Sequence, residues 1–430
     1  MNRKLLIISP YFPPSNAADM QRIRMSLPYF NDFGWDVEVV TVDPVESEMV
    51  QDQLLVKSLP PDLSLHIVKA FKKKWTGKLG LGNLGIRSLW YYRKKVNGLL
   101  KKSHFDLIYF STTMFPVCIL GAYWKIKFGV PYVIDMQDPW HSDHYKTKKK
   151  SERPPKYWFS YRLNKYLEPL AMSKVSGLVS VSQKYIDVLA SRYPRLEHVP
   201  SATITFGAFN PDMEIAAANS GLFEPILDTH FINIVYIGRG GHDLYTALRL
   251  LFEAFKRALQ DNEMPVSRMR LCFAGTSYAP KGQGKQSIMP LAREFGLEEY
   301  ITEITDRIGY YHALATLQHA DALVVPGSED PAYSASKIYP YLLTQKPLAV
   351  IFNKDSNIID VLKQHTKNVH LTIFPSPDRE KAVSELASLL FQWAQRKFIP
   401  VTLQESFGQF DALELTRRQT MLFDQVVIKK

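Results

Sequence analysis

Two α/β domains of similar size, each a parallel sheet covered by helices on both faces, are predicted by three features of the sequence. Short aliphatic and β-branched runs alternate with longer amphipathic stretches, the pattern of strands buried on both faces and joined by helical crossovers. That alternation pauses near residue 200 and restarts near residue 231. The segment between, Thr203 to His230, is polar, weakly periodic and contains Gly, Pro and Asn, as expected of a connection between domains and a polar loop. With 430 residues, 46% of them hydrophobic, the chain has material for two cores. The expected division is an N-terminal domain over 1–205, a second over 206–400, and a terminal helix within 401–430 that crosses back onto the first.

In the first half, strands are expected at Lys4 to Ser9, Asp36 to Val42, Leu65 to Lys69, Phe105 to Phe110, Pro131 to Met136 and Gly177 to Val181. Helices are expected at Asp19 to Asn31, Leu84 to Lys101, Val117 to Phe128, Lys156 to Met172 and Gln183 to Tyr193. The second half gives strands at Phe231 to Ile237, Met269 to Ala274, Ile301 to Ile304, Ala322 to Pro326, Leu348 to Phe352 and Val369 to Phe374. Its helices are Asp243 to Leu259, Pro290 to Phe295, His312 to Gln318, Ser336 to Leu343, Asn357 to Lys363 and Arg379 to Ala394. Near the end, Phe410, Leu413, Leu415, Leu422, Phe423 and Val426 form an apolar stripe that needs a surface to cover.

Lys and Arg total 53 against 42 Asp and Glu, a net charge of +11 that calls for an anionic partner. The excess is local. From Lys69 to Phe105 there are eleven Lys or Arg and no acid, and from Lys146 to Lys165 there are eight against one Glu, so the remaining chain is net negative. Cys118 and Cys272 lie far apart inside apolar runs, which excludes a disulfide framework and a zinc cluster and fits a reducing compartment. The start, MNRKLLIISPYFPP, reads as a strand and not a signal peptide. The longest uncharged run, Leu107 to Trp124, is interrupted by Ser, Thr and Pro and reads as strand, loop and helix.

Ligands of doubly wound sheets bind beyond the C-terminal strand ends, so the loops there are the places for chemistry. The first, Pro10 to Asp19, is stiffened by Pro13 and Pro14; Asn16 and Asp19 either cap the helix or contact a ligand, and Arg22 and Arg24 follow. The segment Tyr132 to Trp140 places Asp135, Gln137 and Asp138 at a strand end, with His141 behind them. Acids and imidazoles there orient a hydroxyl or exchange its proton, while Asp138 equally suits a turn cap with Pro139. Their spacing does not make a metal site.

In the second half, Gly238, Arg239, Gly240 and Gly241 join strand to helix without the spacing of a Walker or dinucleotide fingerprint. Small residues permit close backbone approach and Arg239 offers a charge-assisted contact to phosphate. Ser336 and Lys337 open the helix after a polar loop that holds Glu329, a phosphate-friendly arrangement with a plain cap as its alternative.

Together these pieces resemble the GT-B glycosyltransferases, in particular the large family-four group of retaining, nucleotide-sugar-dependent enzymes of bacterial surface polysaccharides. The carriers are the opening strand followed by YFPP, FGWDVEVVT, DMQDPW, IGRGG, LCFAG, and GYYHALATLQHADALVVP running into SASKIYPYLLTQKPLAV. The resemblance implies two Rossmann-like domains facing a cleft. It implies a donor diphosphate neutralised by Arg239 and Lys337 and bound also by Ser336, with Gly238 and Gly240 allowing its approach. Glu329 faces the transferred sugar; Asp138 shares the catalytic assignment; Asn16, Asp19, Arg24 and His141 line the acceptor. Pro340 stands where the family places the Glu that holds the ribose, and Gln137 replaces its common Arg.

The function expected is transfer of a sugar from a nucleotide-sugar to a hydroxyl of a glycan or lipid-linked acceptor, in the cytoplasm or at the inner membrane face. No metal or other cofactor is expected, since Arg, Lys and a helix dipole meet the phosphate charge. The basic windows, Lys69 to Lys102 and Lys146 to Lys165, suit an anionic membrane surface. No nucleic-acid motif accompanies them. A degenerate GT-B protein that binds glycan, nucleotide or partner without turnover is the alternative.

Overall fold

A computed structural model describes residues 2–141, 146, 153, 157–261, 263–279, 282–330 and 337–428. The chain packs as two compact units, Met1–Gly207 with Phe410–Lys430, and Ala208–Gln409.

The first unit is built on β1 (Arg3–Ile8), β2 (Trp35–Val42), β3 (Ser64–Val68), β4 (Leu107–Ser111), β5 (Tyr132–Met136), β6 (Gly177–Ser180) and β7 (Ser201–Thr203). All pair in parallel, in the order β3-β2-β1-β4-β5-β6-β7. Strands β1, β4 and β5 are apolar on successive residues because helices bury both faces, which is why their runs were visible in the sequence. On one face Leu6, Ile8, Phe110, Trp124 and Tyr132 share a core. On the other, Leu5, Ile7, Trp35 and Tyr109 pack with Leu415, Leu422, Phe423 and Val426 of the terminal helix Ala412–Ile428. That helix is further held by Asp424, which accepts from Trp35 Nε1 at 3.1 Å and pairs with Arg3.

The second unit is built on β8 (Ile232–Ile237), β9 (Met269–Ala274), β10 (Ile301–Ile304), β11 (Ala322–Pro326), β12 (Leu348–Asn353) and, after the two-residue β13 (Thr366–Lys367), β14 (Val369–Phe374). Its sheet is also parallel, in the order β10-β9-β8-β11-β12-β14. In each sheet the strand order reverses once, between β1 and β4 in the first unit and between β8 and β11 in the second. These are the switch points at which doubly wound folds open a crevice.

Three expectations are corrected. The helix expected at Asp19 to Asn31 is one α-turn run, Gln21–Ser26, flanked by 3₁₀ turns at Ala18–Met20, Leu27–Tyr29 and Asn31–Phe33, with Pro28 in the first turn of the second segment. The polar connection, which starts at the last residue of β7, contains the helix Asn210–Ala218, whose Pro211 sits at the helix start. That helix is anchored by Asp212, which accepts from Tyr310 and Tyr311 at 2.7 and 2.8 Å. The terminal segment first pairs β15 (Thr402–Leu403) against β13 in the second unit, and Leu413 of the expected stripe is 44% exposed. Helix Ser336 to Leu343 is described only from Ile338 to Leu343, and Ser336 lies outside the described residues.

Candidate functional site

At the switch point of the first unit, the loop after β1 meets the loop after β4. Asp19 is buried, and its Oδ2 accepts from Thr112 Oγ1 at 3.0 Å, Thr113 Oγ1 at 3.0 Å and the Thr113 amide at 2.8 Å. Burial pushes its pKa up against those hydrogen bonds. Beneath it, Asp135 at the end of β5 is fully buried. Its Oδ2 accepts from Arg22 Nε at 2.7 Å, Gln137 Nε2 at 2.8 Å and Ser111 Oγ at 3.0 Å. Arg22 also donates to the carbonyls of Ile204 and Thr205, at 2.7 and 3.3 Å, and so ties β5 to the chain after β7.

The loop after β5 is fixed from behind. Glu168, 1% exposed, accepts from the His141 amide at 3.0 Å and from Tyr193 Oη at 3.0 Å, and pairs with Arg192. Trp140 stacks on Phe115 with centroids 5.4 Å apart and donates to Asn164 at 3.2 Å. With its neighbours locked, Asp138 is presented at the surface. Desolvation by the surrounding protein, then the charge of Asp19, raises its pKa. A carboxylate made more basic in this way is suited to accept a proton from a hydroxyl.

In the second unit the switch point gathers four segments. Beyond β8, Gly238 and Gly240 donate their amides to the carbonyls of Ala274 and Thr276, at 2.9 and 2.8 Å, so the loop hugs the end of β9. A Cβ on Gly238 would lie 2.3 Å from Lys337 Nζ, and one on Gly240 2.1 Å from Ser287 Oγ. A side chain at either place would have to displace Lys337 or Ser287.

Lys337 donates to Tyr236 Oη at 2.9 Å, and its ammonium lies 4.9 Å from the centre of that ring. Tyr236 in turn donates to the carbonyl of Arg239 at 3.0 Å. Burial, then the charge of Arg239, lowers the Lys337 pKa to about 8. Arg239 forms a two-point pair with Asp243, at 2.7 and 2.6 Å, and Asp243 also accepts from Ser328 Oγ at 2.6 Å. The hydrogen bonds from Arg239 hold the Asp243 pKa down, at about 2. Glu329 is exposed at the rim and accepts from Thr246 Oγ1 at 2.5 Å.

The residues singled out in the sequence therefore separate. Gly238, Arg239, Gly240 and Lys337 converge at one sheet edge, with Glu329 on the adjoining loop. The expected catalytic Asp138 reaches the surface; among the expected acceptor residues, Asn16 is half-buried, with its amide on the Val50 carbonyl at 2.8 Å. Asp19 is buried, and Arg24 is 0% exposed and donates to Gln21 and Ser58, so the acceptor-contact role expected of both gives way to internal bracing. His141 packs its ring on Tyr161 at 4.7 Å. Sequence reasoning missed Tyr236, Asp243 and Ser328. Asp243 had a signal, its place four residues beyond Arg239 at a helix start; Tyr236 and Ser328 sit in or beside apolar runs and had none.

No protein-family model matches this chain, and no curated protein matches it by sequence. Solved structures do. Anabaena HepE in complex with UDP is 15% identical, with 98% of this chain and 100% of that chain aligned and a TM-score of 0.53. The N-terminal domain of Candida albicans trehalose-6-phosphate phosphatase is 12% identical over 99% and 97%, with a TM-score of 0.59. S. aureus TarM in complex with Fondaparinux, alpha-GlcNAc-glycerol and UDP is 9% identical over 98% and 100%, with a TM-score of 0.54. These likenesses run through both units and show the fold: GT-B, two Rossmann-like parallel-sheet units with the terminal helix returned to the first.

Proposed function

We propose that this protein is a retaining glycosyltransferase that moves a sugar from a nucleotide-sugar donor to a hydroxyl of a glycan or lipid-linked acceptor in surface polysaccharide biosynthesis. The observation that carries this reading is the convergence of Lys337 and Arg239 with the close-approach glycines Gly238 and Gly240 at the switch point of the second unit. It is supported by a fold shared end to end with structures that hold UDP or UDP-glucose.

Lys337 meets the donor diphosphate as an ammonium, and Arg239 joins it by exchanging one or both oxygens of Asp243 for phosphate oxygens. The anomeric C–O bond to the diphosphate breaks, the acceptor oxygen takes its place, and the nucleoside diphosphate leaves with its developing charge stabilised by these cations. Glu329 holds hydroxyls of the transferred sugar. Asp138 orients the acceptor hydroxyl and takes up its proton. The reaction in this reading needs no metal, so a chelator leaves the rate unchanged. The enzyme works from the cytoplasmic side, at an anionic membrane surface met by Lys69 to Lys102 and Lys146 to Lys165. Among the described residues, no helix is long and apolar enough to cross a membrane.

Calorimetric titration of UDP and other nucleoside diphosphates tests the donor site. Lys337→Ala and Arg239→Ala are each expected to weaken binding by roughly tenfold or more, the value of a lost charge-assisted hydrogen bond. Equal affinities across wild type and both variants would remove the proposed phosphate site. Pro340, in the short helix Ile338–Leu343, and the engagement of Arg239 by Asp243 favour a second reading, a protein that binds donor or glycan without turnover. Hydrolysis or transfer detected in a nucleotide-sugar screen excludes it.

A further inference from the structure

The chain between the end of β9 and the helix Met289–Phe295 closes against the glycine turn and is pinned there by one carboxylate. Glu303, in β10, accepts from Thr276 Oγ1 at 2.8 Å and from the amides of Ser287, Ile288 and Met289 at 2.9, 3.1 and 2.7 Å. The amides that open the helix are thereby filled from within the fold and are not offered to a ligand. Tyr245, at the start of the helix Tyr245–Asp261, donates its hydroxyl to the Ser287 carbonyl at 2.8 Å. Both main-chain groups of Ser287 are therefore fixed, one by β10 and one by the helix that follows the glycine turn.

The side chain is the exception. Ser287 Oγ is closed to solvent and has no hydrogen-bond partner among the described residues. Such a hydroxyl weighs against the folded state, so a serine kept there calls for a state of the site that supplies an acceptor. What covers it is Gly240, whose Cβ, if it had one, would lie 2.1 Å from the hydroxyl oxygen. Gly241 follows at φ +146°, a conformation that side chains other than glycine's rarely adopt. Two successive residues without a Cβ leave this part of the turn able to shift at little cost. Lys337 Nζ stands behind Gly238 in the same way, so the ammonium and the hydroxyl lie behind the residues on either side of Arg239.

We propose that Ser287 is a further donor-binding residue: as the glycine turn gives way to the incoming nucleotide-sugar, the Ser287 hydroxyl is uncovered and donates a hydrogen bond to an oxygen of the donor diphosphate. The inference rests on the reading of this switch point as the donor site. A diphosphate brings what the hydroxyl lacks, an acceptor oxygen that carries charge, and bonds to such oxygens are shorter and stronger than those between neutral groups. Arg239 must give up Asp243 to reach the ligand, whereas Ser287 gives up nothing. Glu303 and Tyr245 hold its backbone in place, so the hydroxyl meets the phosphate from a fixed base while the glycines move.

The test is calorimetric titration of UDP and of inorganic pyrophosphate into wild type, Ser287→Ala and Ser277→Ala, with urea unfolding of each. Ser277 follows the same strand, and its Oγ accepts from the Ala279 amide at 3.1 Å, so its variant reports loosening of the loop alone. Ser287→Ala should weaken both ligands by about tenfold, the value of one hydrogen bond to a charged group. Its urea midpoint should not fall, because the hydroxyl removed bonds to nothing in the free protein. Ser277→Ala should change either affinity by less than about twofold. A serine with a structural role alone would move stability and affinity together. Unchanged UDP affinity in Ser287→Ala, a loss for UDP without one for pyrophosphate, an equal loss in Ser277→Ala, or a lowered urea midpoint in Ser287→Ala would each overturn the proposal. Lys337→Ala, titrated alongside, separates the two readings. If it weakens UDP binding and Ser287→Ala does not, the donor site stands without Ser287; if neither does, the donor site itself falls.

Discussion

In the first unit, Arg22 and Asp135 meet at 2.7 Å with side chains 2% and 0% exposed. In the second, Arg239 and Asp243 form a closer two-point pair, but their side chains are 24% and 36% exposed. The two arginines follow equivalent strands, β1 and β8, at the switch points, but Asp135 lies in β5 whereas Asp243 is four residues beyond Arg239. Their difference lies in what surrounds them. Asp135 receives three donors and Arg22 reaches two further carbonyls, so that pair can exchange nothing without leaving a buried charge unpaired. Arg239 and Asp243 can each turn to water or to a ligand at modest cost. The same residue types thus make a strut in one unit and an exchangeable clamp in the other.

Breaking the strut should have the largest effect. Arg22→Ala leaves the Asp135 carboxylate buried without its charge partner and is expected to cost about 3–5 kcal/mol in urea unfolding. Arg239→Ala in the same assay should cost under about 1 kcal/mol, as a half-exposed pair does. Similar losses at the two sites would erase the distinction drawn here.

A smaller effect is expected from filling the donor loop. Gly238→Ala drives a methyl into Lys337 Nζ, so UDP affinity should fall by roughly tenfold while unfolding stability changes little. Unchanged affinity would mean that Lys337 does not meet the phosphate from its present position.

The third prediction concerns pH. The folded chain gives up the Lys337 proton near pH 8, while the unfolded chain keeps it to the ordinary lysine value, so the unfolded state holds more protons in between. This group therefore penalises folding below pH 8, and the penalty is relieved as pH rises through that window. Phosphate binding needs the ammonium and should move the opposite way, approaching a tenfold loss of UDP affinity per pH unit above about 8. Lys337→Arg should flatten that slope; a slope unaltered by the substitution would assign it to another group.

The comparison also marks where the sequence was readable. Strands β4, β8 and β11 announce themselves because a strand covered on both faces is apolar at most positions on either side. Asn210–Ala218 was hidden in a polar stretch because its buried side is narrow and fastened by one carboxylate, Asp212, to two distant tyrosines. The glycine loop and Lys337 were legible as candidates for a phosphate site from residue type and place beyond a strand, and the structure brings them together at one sheet edge. Arg24 was misread as a ligand contact because arginine is charged whether it faces solvent or, as here, a pocket of Gln21 and Ser58.

The sequence by itself determined the parallel α/β architecture, its repetition, the two basic windows and the loops where ligands would bind, since all of these are written in local periodicity and composition. Only the tertiary structure decided which charges are struts and which are exchangeable, that Asp243 and Tyr236 hold Arg239 and Lys337, and that Lys94, Lys95 and Lys102 line a groove beside the edge strand β3. Those facts depend on burial and on partners tens to hundreds of residues away, and solvation, not residue identity, sets what a charge can do.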